Sequence, residues 1–227
     1  MIRFGFTLAE VLITLGVIGI VAAMTLPALV HNYQEQEYVT RLKKSVSALE
    51  QAKIRAMDEN NLDFQYMGYG GVYIQSEQEK FANYFKPYFN VLRDCATPSN
   101  NNTLCIGNNR DFYQINRKTK ANQYADNTFR GFVSADGVSY FFYVARSLVI
   151  IDVNTPNKAP NSLGHDVFVF HFDKKGKLTA GLGTENVNTL EECKTVGNTC
   201  GQWVLLYENQ AYRRCPDKVE YGGKTKC

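Results

Sequence analysis

A run of apolar residues near the start constrains this chain more than anything else in it. Phe6 to Val30 reads FTLAEVLITLGVIGIVAAMTLPALV, 25 residues with a single charged side chain, Glu10. As a helix it would be about 37 Å long, enough to cross a hydrocarbon core with some tilt. A secretory signal peptide has a basic start, a clean apolar stretch of about 7–15 residues and a small-residue cleavage site. This run is longer, and Glu10 interrupts it. A plain signal anchor accommodates the length but not the carboxylate, which costs about 2.5–3.5 kcal/mol at the bilayer centre and less near the interface. A core helix of a soluble domain is not usually apolar on every side. A carboxylate in a membrane helix marks a functional site by default and needs a partner. The run holds no Lys or Arg. The expected partner is therefore external, such as another chain or a freed N-terminal amine.

Gly5-Phe6-Thr7-Leu8-Ala9-Glu10-Val11-Leu12 resembles the prepilin-type cleavage and methylation motif of type IV pilins and type II secretion pseudopilins. Gly5 matches the residue before the cut, Phe6 the new N-terminus and Glu10 the acid at the fifth mature position. Pro27 matches a helix-kinking proline found in many such subunits. The leader, residues 1–5, is short even for this family, and the close resemblance covers about the first 30 residues. The resemblance implies a chain that is substrate rather than enzyme: a prepilin peptidase cuts between Gly5 and Phe6 and N-methylates Phe6. It also implies that Glu10 sets register by meeting the Phe6 amine of a neighbour, because a charge pair in low dielectric is specific when made and costly when left unmade. A head-to-tail assembly that does not close is a filament.

After the apolar run the helix is expected to continue over residues 31–58, with no Gly or Pro from Tyr33 to Asp58. Val39, Leu42, Val46 and Leu49 form one apolar stripe at helical spacing, while Arg41, Lys43, Lys44, Glu50 and Lys53 populate the other sides. Pro27 is expected to kink or break the helix. Aromatic residues make up 13% of the 227-residue chain, which favours a β-rich body. Glu77 to Leu92 reads as a helix interrupted at Pro87. Phe129–Ala135 and Val138–Val144 read as a hairpin turning tightly at Asp136-Gly137. Ser147–Val153, Val167–Phe172, a short stretch near Leu178 and Trp203–Tyr207 read as further strands. The expected fold class is α+β: a long N-terminal helix, membrane-spanning in residues 6–30 and amphipathic in 31–58, packed on an antiparallel sheet in a head over 59–227. The resemblance implies the same pilin-like architecture.

Six cysteines, Cys95, Cys105, Cys193, Cys200, Cys215 and Cys227, suggest disulfides in a domain carried beyond a membrane. Six allow fifteen pairings. Cys95–Cys105 is favoured because it brackets an Asn-rich loop, and two bridges among the other four would pin a tail of low apolar content. Asp152, Asn154 and Asp166 place oxygen ligands on a strand end and a loop that calcium could use, though Pro156 and the missing Gly break the EF-hand spacing. Otherwise no cofactor is expected.

No G-x-S-x-G and no His pair at helical spacing occurs, so an enzyme is not expected. Gly223-Lys224-Thr225 lacks the upstream Gly of a P-loop. The formal net charge of +3 is too mild to make nucleic acid the main partner. Arg213-Arg214 with Tyr207 and Tyr212 keep a DNA-uptake or adhesin role as the alternative. The partners the resemblance implies are other pilin subunits, a prepilin peptidase, an inner-membrane assembly platform and membrane lipid. The expected location is the bacterial inner membrane as a single-pass precursor, then a periplasmic or cell-surface filament. The chain is large for a major pilin, which tilts the expectation towards a minor pilin or pseudopilin.

Overall fold

The computed structural model describes residues 7–61, 75–95, 105, 112–121, 129–143, 146–183 and 189–227. Contacts divide the chain into two units, residues 1–37 and 38–227. Helix α1 runs Leu8–Glu59, and its assignment continues through Pro27. In the first unit the large apolar side chains of Leu8–Val30 are exposed, from 78% at Leu8 to 42% at Val11, while Glu35 is buried.

In the second unit, α1 buries Tyr38, Val39, Leu42, Leu49, Ala52 and Ala56. That is the expected stripe, lengthened by about two turns at its end, with Val46 half-buried beside it. Helix α2 (Gln75–Phe85) follows, then a 3₁₀ turn (Lys86–Tyr88). The fold body is a six-stranded antiparallel sheet: β1 (Val91–Asp94), β2 (Arg130–Ser134), β3 (Ser139–Tyr143), β4 (Leu148–Asp152), β5 (Val167–Phe172) and β6 (Leu178–Ala180). Spatial order equals chain order. Short helices α3 (Leu190–Thr195), α4 (Cys200–Tyr207) and α5 (Ala211–Arg214) complete the described chain with a second 3₁₀ turn at Pro216–Lys218.

The sheet is covered on both faces. Phe132, Tyr140, Phe142, Val149, Ile151, Phe168 and Phe170 share a core with α1, α2 and α4. Their alternates Val133, Phe141, Ile150, Val167 and Val169 join Phe112, Phe129 and Leu163 in a second core. Strands buried on both faces read as unbroken apolar runs, although these are antiparallel. The α+β body thus has a long helix packed on an antiparallel sheet.

Three expectations need correction. The Glu77–Leu92 helix ends at Phe85. Pro87 supports only a 3₁₀ turn, and Val91 and Leu92 enter edge strand β1, a short segment with too few apolar residues to announce itself. The β2–β3 connection is not a two-residue Asp-Gly turn. Gly137 N–H bonds Ser134 O at 2.9 Å, and Gly137 alone in the turn has positive φ, +76°, where a two-residue type I′ turn needs it at both central positions. Trp203–Tyr207 is helix, not strand. Cys200 is bridged to Cys193, and Gly201 lets α4 approach β5 so closely that a Cβ would lie 2.7 Å from the Phe170 ring.

Candidate functional site

The start of α1 carries the side chains singled out first. Gly5 and Phe6, the expected cleavage pair, lie outside the described residues. Thr7 and Glu10 form a reciprocal cap. Thr7 N–H donates to Glu10 Oε2 at 2.8 Å and the Thr7 hydroxyl to the same oxygen at 3.0 Å, while Glu10 N–H donates to Thr7 Oγ1 at 3.2 Å. This is a capping box, in which Thr and Glu three apart satisfy two orphan amides of the first turn. In the single chain the Glu10 carboxylate is held by neutral donors of its own first turn. The signal was the Thr-x-x-Glu spacing itself.

The other polar groups in the run are closed in the same way. Thr14 Oγ1 donates to Val11 O at 3.0 Å and Thr25 Oγ1 to Val21 O at 2.9 Å. Helix α1 contains a window with mean hydropathy 2.3 and two or fewer charges, none of it buried, so it is long and apolar enough to cross a membrane.

The six cysteines form three bridges, Cys95–Cys105, Cys193–Cys200 and Cys215–Cys227, each between cysteines adjacent in sequence. The first is the favoured pair. The second joins α3 to the start of α4, and the third closes the end of the chain back onto α5. Trp203, Tyr207 and Tyr221 pack together there, with ring centroids 4.5, 5.4 and 6.0 Å apart.

Asp152, Asn154 and Asp166 do come together, at the two ends of the β4–β5 loop. Asp166 spends both oxygens on backbone amides, Asn161 N–H at 2.9 Å and Ser162 N–H at 2.8 Å. Asp152 Oδ1 accepts from Asn154 N–H at 3.0 Å, and Asn154 Nδ2 donates to the Tyr38 hydroxyl on α1 at 3.1 Å. Asp152 Oδ2 and Asn154 Oδ1 are buried with no hydrogen-bond partner among the described residues. Burial pushes Asp166 up to about 6. Burial first, and then the charge of Asp166, push Asp152 well above the usual carboxylate range. The arrangement braces the loop against α1. Among the described residues no group of three His, Cys, Asp or Glu side chains is gathered as a metal cluster would be.

The remaining candidates are dispersed. His165 is buried, its ring 2.8 Å from Arg117 Nη2 and edge-on to Tyr38. His171 lies half-buried on β5, and burial lowers its pKa. Tyr212 is buried and donates its hydroxyl to Gly164 O at 2.6 Å, so its face is not offered beside Arg213 and Arg214. The Tyr207 hydroxyl accepts from Gly222 N–H at 3.0 Å. Comparisons with family models, curated proteins and solved structures gave no match.

Proposed function

We propose that the chain is a structural subunit, a minor pilin or pseudopilin, of a type IV filament or type II secretion pseudopilus. The observation that carries this reading is a helix with an unburied apolar stretch whose only acid, Glu10, sits in the first turn, the fifth residue after the motif's cleavage point. In this reading a prepilin peptidase cuts between Gly5 and Phe6 and methylates the new amine. The Thr7 donors that hold Glu10 are neutral. A protonated amine of a neighbouring subunit adds a full positive charge, a Coulombic attraction that those donors lack, and in lipid there is no water to compete for it. Assembly then trades a local cap for an intersubunit pair, while the apolar side chains that faced lipid pack against other subunits. The assembly platform and the inner membrane are the partners this implies, and the disulfide-bridged head faces outward. The work is mechanical, and the reading requires no cofactor.

The test is quantitative mass spectrometry of the N-terminal peptide in sheared surface material and in membranes from the native cell. N-methyl-Phe6 abundant in the sheared fraction identifies a major pilus subunit. Processed Phe6 confined to membranes, with only traces sheared, identifies a minor pilin or a short pseudopilus. An intact Met1 in every fraction overturns the reading and leaves the segment as an anchor alone. Glu10→Ala is expected to insert in the membrane and fail to join filaments; its normal incorporation beside wild type would remove the pairing role.

A further inference from the structure

The segment Pro216–Cys227 lies over α4 and is held there by few contacts besides its disulfide. Val219 is its one buried side chain, at 3% exposure. The Val219 carbonyl accepts from Lys194 Nζ at 3.2 Å, and Gly222 N–H donates to the Tyr207 hydroxyl at 3.0 Å. Tyr221, still 36% exposed, sets its ring beside Trp203 and Tyr207, with centroids 5.4 and 6.0 Å away. A segment with so little buried apolar surface belongs to the part of a fold that opens locally. The Cys215–Cys227 bridge, across a sequence separation of 12, closes it into a loop and removes much of the entropy it would gain by leaving.

The bridges differ in access. Cys193 and Cys200 are fully buried, and Cys200 Sγ is packed so closely that a Cβ on Gly164 would lie 2.6 Å from it. Cys95 and Cys105 are buried as well. Cys215 is only half-buried, and Cys227 is exposed. Thiol–disulfide exchange requires a thiolate to reach a sulfur, so access decides which bridge reacts. The exposed bridge holds the strap alone. The buried one joins α3 to α4 and does not depend on it. Beneath the strap lies Trp203, the one tryptophan of the chain, fully buried with Nε1 donating to Asn209 Oδ1 at 3.1 Å.

We propose that Pro216–Cys227 is a redox-released strap: a dithiol reductant opens Cys215–Cys227, the strap lifts, and the Trp203–Tyr207 face of α4 becomes accessible while Cys193–Cys200 keeps α3 and α4 together. One thiolate of the dithiol attacks Cys227 Sγ, and Cys215 leaves as a thiolate that takes up a proton. The second thiol of the reductant then resolves the mixed disulfide. Cys227 departs as a thiol and the reductant becomes an internal disulfide, so two electrons and two protons pass to the chain. The device is independent of the filament reading, because none of its residues belongs to the first stretch of α1.

The experiment titrates dithiothreitol into the full chain in lipid nanodiscs, traps free thiols with N-ethylmaleimide and maps them by peptide mass spectrometry. Trp203 emission and its quenching by acrylamide are read on the same samples. Cys215 and Cys227 should be alkylated at dithiothreitol concentrations that leave Cys193 and Cys200 unlabelled. Over that same range Trp203 emission should shift to the red and its quenching should rise. The double variant Cys215→Ser with Cys227→Ser should show the shifted emission without reductant and respond no further to it. In that variant the isotope-labelled Ala82 and Ala180 methyls should keep their NMR positions, which shows that the head still folds. Should those methyls move, the mildly reduced wild type gives the reading without any substitution. Alkylation of Cys193 and Cys200 at the same reductant concentration as Cys215 and Cys227, or alkylation of Cys215 and Cys227 with Trp203 unmoved, overturns the proposal.

Discussion

Helix α1 contains two stretches that solve opposite problems. In Leu8–Val30 the apolar side chains are outside, and the polar groups are turned onto the helix itself: Glu10 onto Thr7, Thr14 and Thr25 onto backbone carbonyls. In Tyr38–Glu59 one apolar stripe is buried, and the polar groups reach to other parts of the chain. Arg41 and Lys44 reach the β2–β3 turn, Lys43 pairs with Glu208, Glu50 accepts from Leu178 N–H, and Lys53 donates to Gly176 O at 2.6 Å. The same helix thus carries two opposite surface patterns. Where no water is expected, each polar group must find a partner within its own turn. Where a domain supplies the partners, the helix is positioned by long polar side chains around a buried seam. The difference teaches that exposure of an apolar residue means little until one asks where its polar neighbours have gone.

The comparison breaks most easily at the seam. Leu42 is fully buried, and Leu15 is 61% exposed. Leu42→Ala should cost the head about 2–5 kcal/mol, read as a lowered thermal midpoint in detergent-solubilised chain. Leu15→Ala should leave that midpoint unmoved. Equal effects would mean that the two stretches do not differ as argued.

A second test uses pH. The buried Asp152–Asp166 pair binds protons more tightly folded than unfolded, Asp166 at about 6 against an ordinary 3.8. Its contribution to stability is therefore full below about pH 4 and is lost as pH rises towards about 6. His171 has the opposite sign. Its pKa is lowered from 6.5, so its contribution is present above that value and is lost as pH falls through it. The informative quantity is the difference between wild type and Asp152→Asn. The variant should lose stability less steeply between about pH 4 and 6, because one of the two buried acids that must give up a proton is gone and no longer repels the other. An unchanged slope would show that Asp152 holds its proton no more tightly in the folded head than in the unfolded chain.

The cap comes next in size. Thr7→Val removes the hydroxyl that both donates to and accepts from Glu10, which should loosen the first turn by about 1 kcal/mol, while Thr7→Ser restores it. Amide exchange at Leu8–Val11 in nanodiscs reads the change, and exchange no faster in Thr7→Val than in Thr7→Ser would dismiss the capping box. The smallest effect belongs to Lys43–Glu208, whose side chains are 43% and 62% exposed. A double-mutant cycle to alanine should return a coupling below about 1 kcal/mol that shrinks with added salt. A larger, salt-independent coupling would mean that this clasp is part of the seam.

Much of the fold is legible from local pattern. The stripe Val39–Leu42–Val46–Leu49, the boundaries of β5 and the hairpin around Gly137 follow from periodicity and turn residues that lie next to one another in the chain. Trp203–Tyr207 is different, because a short apolar run fits strand and helix alike until its packing is known. Strand β1 escapes for a related reason: its place at the sheet edge is set by pairing with β2, not by its own residues. At the candidate site, Glu10 stands out because a charge in a 25-residue apolar run is conspicuous. Its partner Thr7 is conspicuous only once the helix start is known.

Composition and spacing alone determined that this chain carries one helix able to cross a membrane, an amphipathic continuation of that helix and a β-rich body. Those properties depend on neighbours along the chain, which the sequence lists in order. Only the tertiary structure decided which of fifteen pairings the six cysteines adopt, that the sheet is buried on both faces, and that the carboxylates of Asp152 and Asp166 share one buried corner. Each of these joins residues by contact across space. Contact depends on how the whole chain excludes water from its apolar surface and not on any one segment's pattern.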